Sequence, residues 1–260
     1  MLTNKDKQGL SLLAGVILIV ATVGYYKITT EPPVSDERFC IDPIQANTVI
    51  VVDESESTTD QTRTEIAARV MQHLRKDAKD NERISVFTLT SESARELRPK
   101  VAICKPKSTG NRFVENVKKI EANTRKMEQQ VLQALRPTRS NSPESPLAQV
   151  LIDLSLSEYL RGTENTLLVF SDLLENTTKF SIYSCSAETD VIKEFRKSRT
   201  GAEDRPKFAN TRVKLNIIPR FDIQPNSLKC RDRLWMWFFG DSEGPRASIE
   251  VDYLPGGPLK

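Results

Sequence analysis

The stretch "NTVIVVD", Asn47 to Asp53, narrows the possible folds more than any other part of the chain. Val49, Ile50, Val51 and Val52 follow one another with no polar break, so a strand built from them must be covered on both faces, as strands of parallel α/β sheets are. Similar runs recur as "RISVFTLT" (83–90), "TLLVFSD" (166–172) and "RVKLNIIP" (212–219), and "LRPKVAIC" (97–104) reads as a strand returning beside the second of them. Helical patterns lie between. Ile66, Val70, Met71 and Leu74 share one face of 61–76; Phe113, Val117, Ile120, Met127, Val131 and Leu135 form a longer stripe. Ser145 before Pro146 has the form of a serine N-cap with proline at the first helical position, ahead of Leu147, Val150, Leu151 and Leu154. Residues 187–197 and 231–239 read as two further helices, and "SIEVDYL" as a final strand. Strands alternating with helices give the expected fold class: α/β, a doubly wound, mostly parallel sheet with helices on both faces.

Ahead of this body, Gln8 to Tyr26 carries no charge, and Leu10 to Val23 is almost entirely aliphatic or small, about the length that spans a bilayer. Lys5 and Lys7 precede it, Lys27 follows, and Tyr25 and Tyr26 stand where interfacial aromatics belong. A cleaved signal peptide is the rival, but "ATVGYYK" offers no clear small-residue cleavage site. The expected organisation is a cytoplasmic stub (1–8), a transmembrane anchor (9–27), a proline-stiffened tether (28–39) and one domain (40–260).

Four cysteines bear on where that domain lies. Cys40, Cys104, Cys185 and Cys230 are even in number, widely spaced and contain no C-x-x-C pair, which disfavours a zinc or thioredoxin-type motif and leaves two disulfides or four free thiols. Disulfides place the domain outside the cytoplasm, in the periplasm or another extracytoplasmic space, with the N-terminus inside. Three pairings are open; Cys40 with Cys104 and Cys185 with Cys230 are the partners nearest in sequence. The net charge of +3, from 38 basic and 35 acidic residues mixed along the chain, provides no field for steering nucleic acid.

Two buried strands end in carboxylates. "VIVVDESEST" runs directly into acids and serines, and "VFSD" ends in Ser171 and Asp172. Ligands of open α/β sheets bind beyond the carboxyl ends of strands, and two carboxylates gathered there call for a cation, a proton or basic partners. Ser55 and Ser57 would add neutral oxygens, a donor set that suits a hard cation. Asp53, Ser55 and Ser57, in "DESES", resemble the D-x-S-x-S signature of the von Willebrand factor A family, and the likeness extends in element order from about Asn47 to the C-terminus. It implies a metal-ion-dependent adhesion site in which Ser145 stands for the family's threonine and Asp172 for its later aspartate. It also implies bound Mg²⁺ (or Mn²⁺ or Ca²⁺) and a partner protein supplying an acidic side chain to the ion. Glu56 and Leu173 depart from the pattern, each standing where glycine is common.

Blander readings exist for each residue. Ser55 and Ser57 could cap the following helix, and Asp172 a turn. A phosphotransferase of the haloacid dehalogenase type would need a second aspartate at the position of Ser55. The one histidine, His73, falls inside a helical pattern, and no glycine-rich phosphate loop is present. The expectation is a binding or assembly module and not an enzyme, with a metal-free scaffold as the alternative. "RLWMWFFG" (233–240) packs four aromatics into one short helix, either as core or as a docking patch.

Overall fold

The computed structural model describes residues 4–29, 37–55, 58–90, 96–110, 116–137, 144–199, 203–240 and 248–255, with the side chains of the first range described at 9 and 13–25. The chain forms two units, 1–35 and 36–260. The first is a single helix, α1 (Asn4–Thr29). Leu13, Ile17, Leu18, Val20 and Tyr25 all stand exposed, so the helix turns apolar side chains outward in every direction. Among the described residues, no helix is long and apolar enough to cross a membrane.

The second unit is one six-stranded sheet. Its strands are β1 (Ala46–Asp53), β2 (Arg83–Leu89), β3 (Val101–Cys104), β4 (Glu164–Ser171), β5 (Thr211–Ile217) and β6 (Ser248–Tyr253), in the spatial order β3-β2-β1-β4-β5-β6. Every pairing is parallel except β2 with β3. The helices are α2 (Asp60–Lys76), α3 (Val117–Ala134), α4 (Leu147–Leu156), α5 (Val191–Ser198) and α6 (Pro225–Phe239).

The aliphatic run of β1 behaves as its composition requires. Val49 and Val51 pack with Leu167, Val169 and Val213 under α4, α5 and α6; Ile50 and Val52 point the other way, onto Ile66 and Val70 of α2 and Val131 of α3. The strand is buried on both faces because alternate side chains enter two separate cores.

Element ends differ from the sequence reading where caps decide them. α2 is capped by Thr59, whose hydroxyl accepts from the Thr62 amide at 3.1 Å, and not by Ser55. Ser145 is not the cap of α4: Pro146 takes that position without a side-chain cap bond. The final helix begins six residues earlier than its apolar run suggests, at Pro225, and β3 is confined to four residues. Helix α5 begins at Val191, where the Asp190 side chain accepts from the Lys193 amide. Ser57, Glu56 and Phe113 lie outside the described residues.

Two disulfides staple this unit, Cys40–Cys104 and Cys185–Cys230, with Cα atoms 4.9 and 6.5 Å apart. The first ties the entry to β1 to the edge strand β3. The second ties the segment after a 3-10 turn (Ile182–Ser184) to α6. The aromatics of 233–240 are mainly core: Trp235 and Phe238 are buried, Trp237 and Phe239 pack against the same cluster, and Met236 is left in solvent.

Candidate functional site

Neighbouring strands β1 and β4 lie at the middle of the sheet, and the order of strands runs outward from them in both directions. Their carboxyl ends therefore flank the switch point where such sheets open a crevice. Val52 pairs with Phe170, so Asp53 and Ser171, the next residues along, emerge at the same level.

Asp53 is buried and fully engaged. Its Oδ1 accepts the Ser55 amide at 3.0 Å, and its Oδ2 accepts the hydroxyls of Ser171 at 2.7 Å and Ser145 at 3.1 Å. Ser145 reaches it because its backbone is stitched to the exit of β4, bonding Asn176 in both directions. Its hydroxyl is turned toward Asp53 and makes no cap bond to α4, so the expected capping role is filled from elsewhere. Glu175, fully enclosed, accepts the Ala148 amide at 2.8 Å and so caps α4 from a different segment. Burial pushes the Glu175 carboxyl up to about 8, opposed by the Ala148 hydrogen bond and by Arg199, and reinforced by the Asp53 charge.

Asp172 turns away from this cluster. Its Oδ2 accepts from Arg220 Nη1 at 2.7 Å and its Oδ1 from the Leu174 amide at 3.0 Å. Arg220 also forks onto Asp222, Nε and Nη2 each donating at 2.9 Å, and its Nη1 lies 3.4 Å from the Tyr183 hydroxyl. The loop after β4 is pinned on its backbone too: Arg231 Nη1 donates to the Asp172 carbonyl at 3.4 Å, and Trp235 Nε1 to the Leu173 carbonyl at 2.6 Å. Between the two clamp residues Arg220 and Asp222, Phe221 projects into solvent, 87% exposed.

Of the five sequence-expected ligands, Asp53 and Ser145 are in contact, Ser55 joins them through its amide, Asp172 is committed to Arg220, and Ser57 lies outside the described residues. Ser171, Arg220, Asp222 and Glu175 were not singled out. Ser171 had a signal, a hydroxyl closing a buried strand. The Arg-x-Asp spacing of 220–222 in the loop after β5 was the only trace of the clamp.

A divalent cation needs open carboxylate oxygens and hydroxyls whose lone pairs face it. Here one carboxylate faces a guanidinium, and both oxygens of the other are taken by three protein donors. Among the described residues, no group of three His, Cys, Asp or Glu side chains is placed to hold a metal. As arranged, the described members of the set do not fit a resident divalent ion.

The opposite end of β1 holds a second polar group. Thr48 Oγ1 lies 2.9 Å from His73 Nε2, and His73 Nδ1 lies 3.2 Å from Asp77. This has the outline of a hydroxyl–imidazole–carboxylate line. Thr48, however, is wholly buried and donates to Glu82, so no substrate reaches its oxygen. Burial lowers the His73 pKa below its ordinary value. The network is part of the core.

No family model matches the chain, and no curated protein sequence matches it. Several solved structures are similar in outline. The human COPII-coat protein Sec24c aligns with a TM-score of 0.40 and 12% identity over 81% of this chain and 30% of that one. The SpRpn10 VWA domain aligns at 0.37 and 11% over 83% and 90%. An aerotolerance-related membrane protein from Bacteroides fragilis, bearing multiple mutations to serines, aligns at 0.31 and 11% over 68% and 75%. Likenesses of this depth carry no argument about what the chain binds.

Proposed function

We propose that the chain is a membrane-anchored, extracytoplasmic protein-binding or assembly module that presents the carboxyl rim of its sheet to a partner without a resident metal. The observation that carries this reading is Phe221. A phenylalanine 87% exposed on a loop locked from both flanking residues is an apolar anchor held ready. Burying such a ring contributes about 1.5–3 kcal/mol, and rigid aromatic anchors dominate many interfaces. The two disulfides support an oxidising compartment. The all-round apolar surface of α1 supports a lipid environment for that helix, since a helix apolar on every side has no aqueous face. The DESES loop and the strand order support a von Willebrand factor A type of body.

A photo-crosslinking amino acid at position 221 of the full chain in its own membrane tests the reading. One discrete crosslinked protein is expected, absent when the probe sits at Lys79 on the opposite rim. Equal crosslinking from both positions, or from neither, would remove the support. The metal-dependent alternative, Mg²⁺ held by Asp53, Ser55, Ser57, Ser145 and Asp172 and completed by a partner carboxylate, draws on the convergence of Ser145 and Ser171 on Asp53. It requires Asp172 to leave Arg220, and it makes the crosslink sensitive to chelator.

A further inference from the structure

We propose that Arg220 is the resident cation of this rim: its guanidinium does for Asp172 what a divalent ion would do, and thereby closes the ligand set around Asp53 to metal. The argument begins with charge. Asp172 and Asp222 bring two negative charges to the loops beyond β4 and β5, and Arg220 is bonded to both, at 2.7 Å and at 2.9 Å twice. The side chains of Arg220 and Asp172 are 5% and 11% exposed, so their attraction is little screened. An incoming cation would have to take Asp172 and leave the buried guanidinium to Asp222 and Tyr183, with one carboxylate fewer. Mg²⁺ adds its own reluctance to shed water. The arginine is also part of the chain, so its approach to Asp172 is intramolecular, whereas a free ion must be recruited from solution.

Geometry adds a second consequence. A metal ion leaves coordination positions open for a partner, whereas the planar guanidinium here has its donors turned onto oxygens of the same chain. A carboxylate from a partner finds no vacant seat. What it meets instead is Asp222, 48% exposed, in a group of two carboxylates set against one guanidinium. The partner chemistry suited to this rim is therefore an apolar pocket for Phe221 with neutral or basic surroundings, the opposite sign from the one the family resemblance implies. This second point rests on the assembly reading; the exclusion of metal does not.

Titrating Mn²⁺ into the full chain in detergent micelles, with the free-ion paramagnetic resonance signal as readout, tests the exclusion. The unmodified chain is expected to leave that signal as it is in buffer. Arg220→Gln is expected to remove signal with an affinity at least about tenfold tighter, and to lose that gain when combined with Asp53→Asn. Signal loss with the unmodified chain that Asp53→Asn abolishes would overturn the proposal, as would a folded Arg220→Gln chain that still ignores Mn²⁺. If Arg220→Gln does not fold, the melting midpoint of the unmodified chain decides: no change across millimolar Mg²⁺ supports the proposal, and a rise abolished by Asp172→Asn overturns it. Crosslinking at position 221 reads the partner separately, so either idea can fail alone.

Discussion

Leu173 has a φ of 61° and is almost completely buried. A left-handed conformation costs a non-glycine residue about 1–2 kcal/mol, and here it persists because both backbone groups are held, the amide by Ser171 Oγ at 2.9 Å and the carbonyl by Trp235. Glycine would relieve that strain but remove a core leucine, a loss of about 2–5 kcal/mol. The larger effect decides the sign. Leu173→Gly should lower the urea midpoint by an amount equivalent to about 1–4 kcal/mol, and an unchanged or raised midpoint would mean that the backbone strain outweighs the packing. At this scale, Asp53 and Ser145 were legible because chain position places them, one at the end of a buried strand and one on the loop before a helix. Asp172 was legible as a strand-end carboxylate, but its partner was not. Arg220 lies 48 residues away, and nothing in "PRFD" indicates that the loop after β5 folds back over β4.

Helix α4 shows how an element can borrow its cap. With Pro146 at its start and Ser145 committed to Asp53, its first amides depend on Glu175. That arrangement has a pH signature. The Glu175 carboxyl is raised from 4.5 to about 8 in the folded chain, chiefly by burial, so the folded state holds a proton that the unfolded state gives up. Its favourable contribution is complete below about 4.5 and is lost as pH climbs through about 8. The melting midpoint should therefore fall across that interval, and Glu175→Gln should flatten the fall; parallel pH profiles for the two chains would contradict the assignment. Strands were read well from the sequence because continuous aliphatic runs leave few alternatives. Helix starts were read less well, because capping is settled by neighbours in space: the polar start of α6 carries no apolar stripe, and the Ser-Pro pair at 145–146 serves the rim instead of the helix.

Across the whole molecule, the two stapled loops, of 64 and 45 residues, replace some of the order that the core alone would have to impose. Each bridge should contribute about 2–4 kcal/mol, so a reductant should lower the melting midpoint, and Cys185→Ser with Cys230→Ser should reproduce part of that drop. Identical midpoints with and without reductant would show that neither bridge constrains the unfolded chain. The doubly wound architecture followed from the order of runs, whereas cysteine spacing left three pairings open and the structure joins the partners nearest in sequence. The rim chemistry did not follow, because it depends on which loops the sheet brings together. The bridge at Cys185 lies two residues beyond Tyr183, whose hydroxyl approaches Arg220, and its other end is rooted in α6, which pins the Asp172 and Leu173 carbonyls. A reduced copy of this chain would thus keep the same rim residues but lose the tether between the Tyr183 turn and α6. Oxidation of that thiol pair should therefore stiffen the rim itself and not only the fold around it.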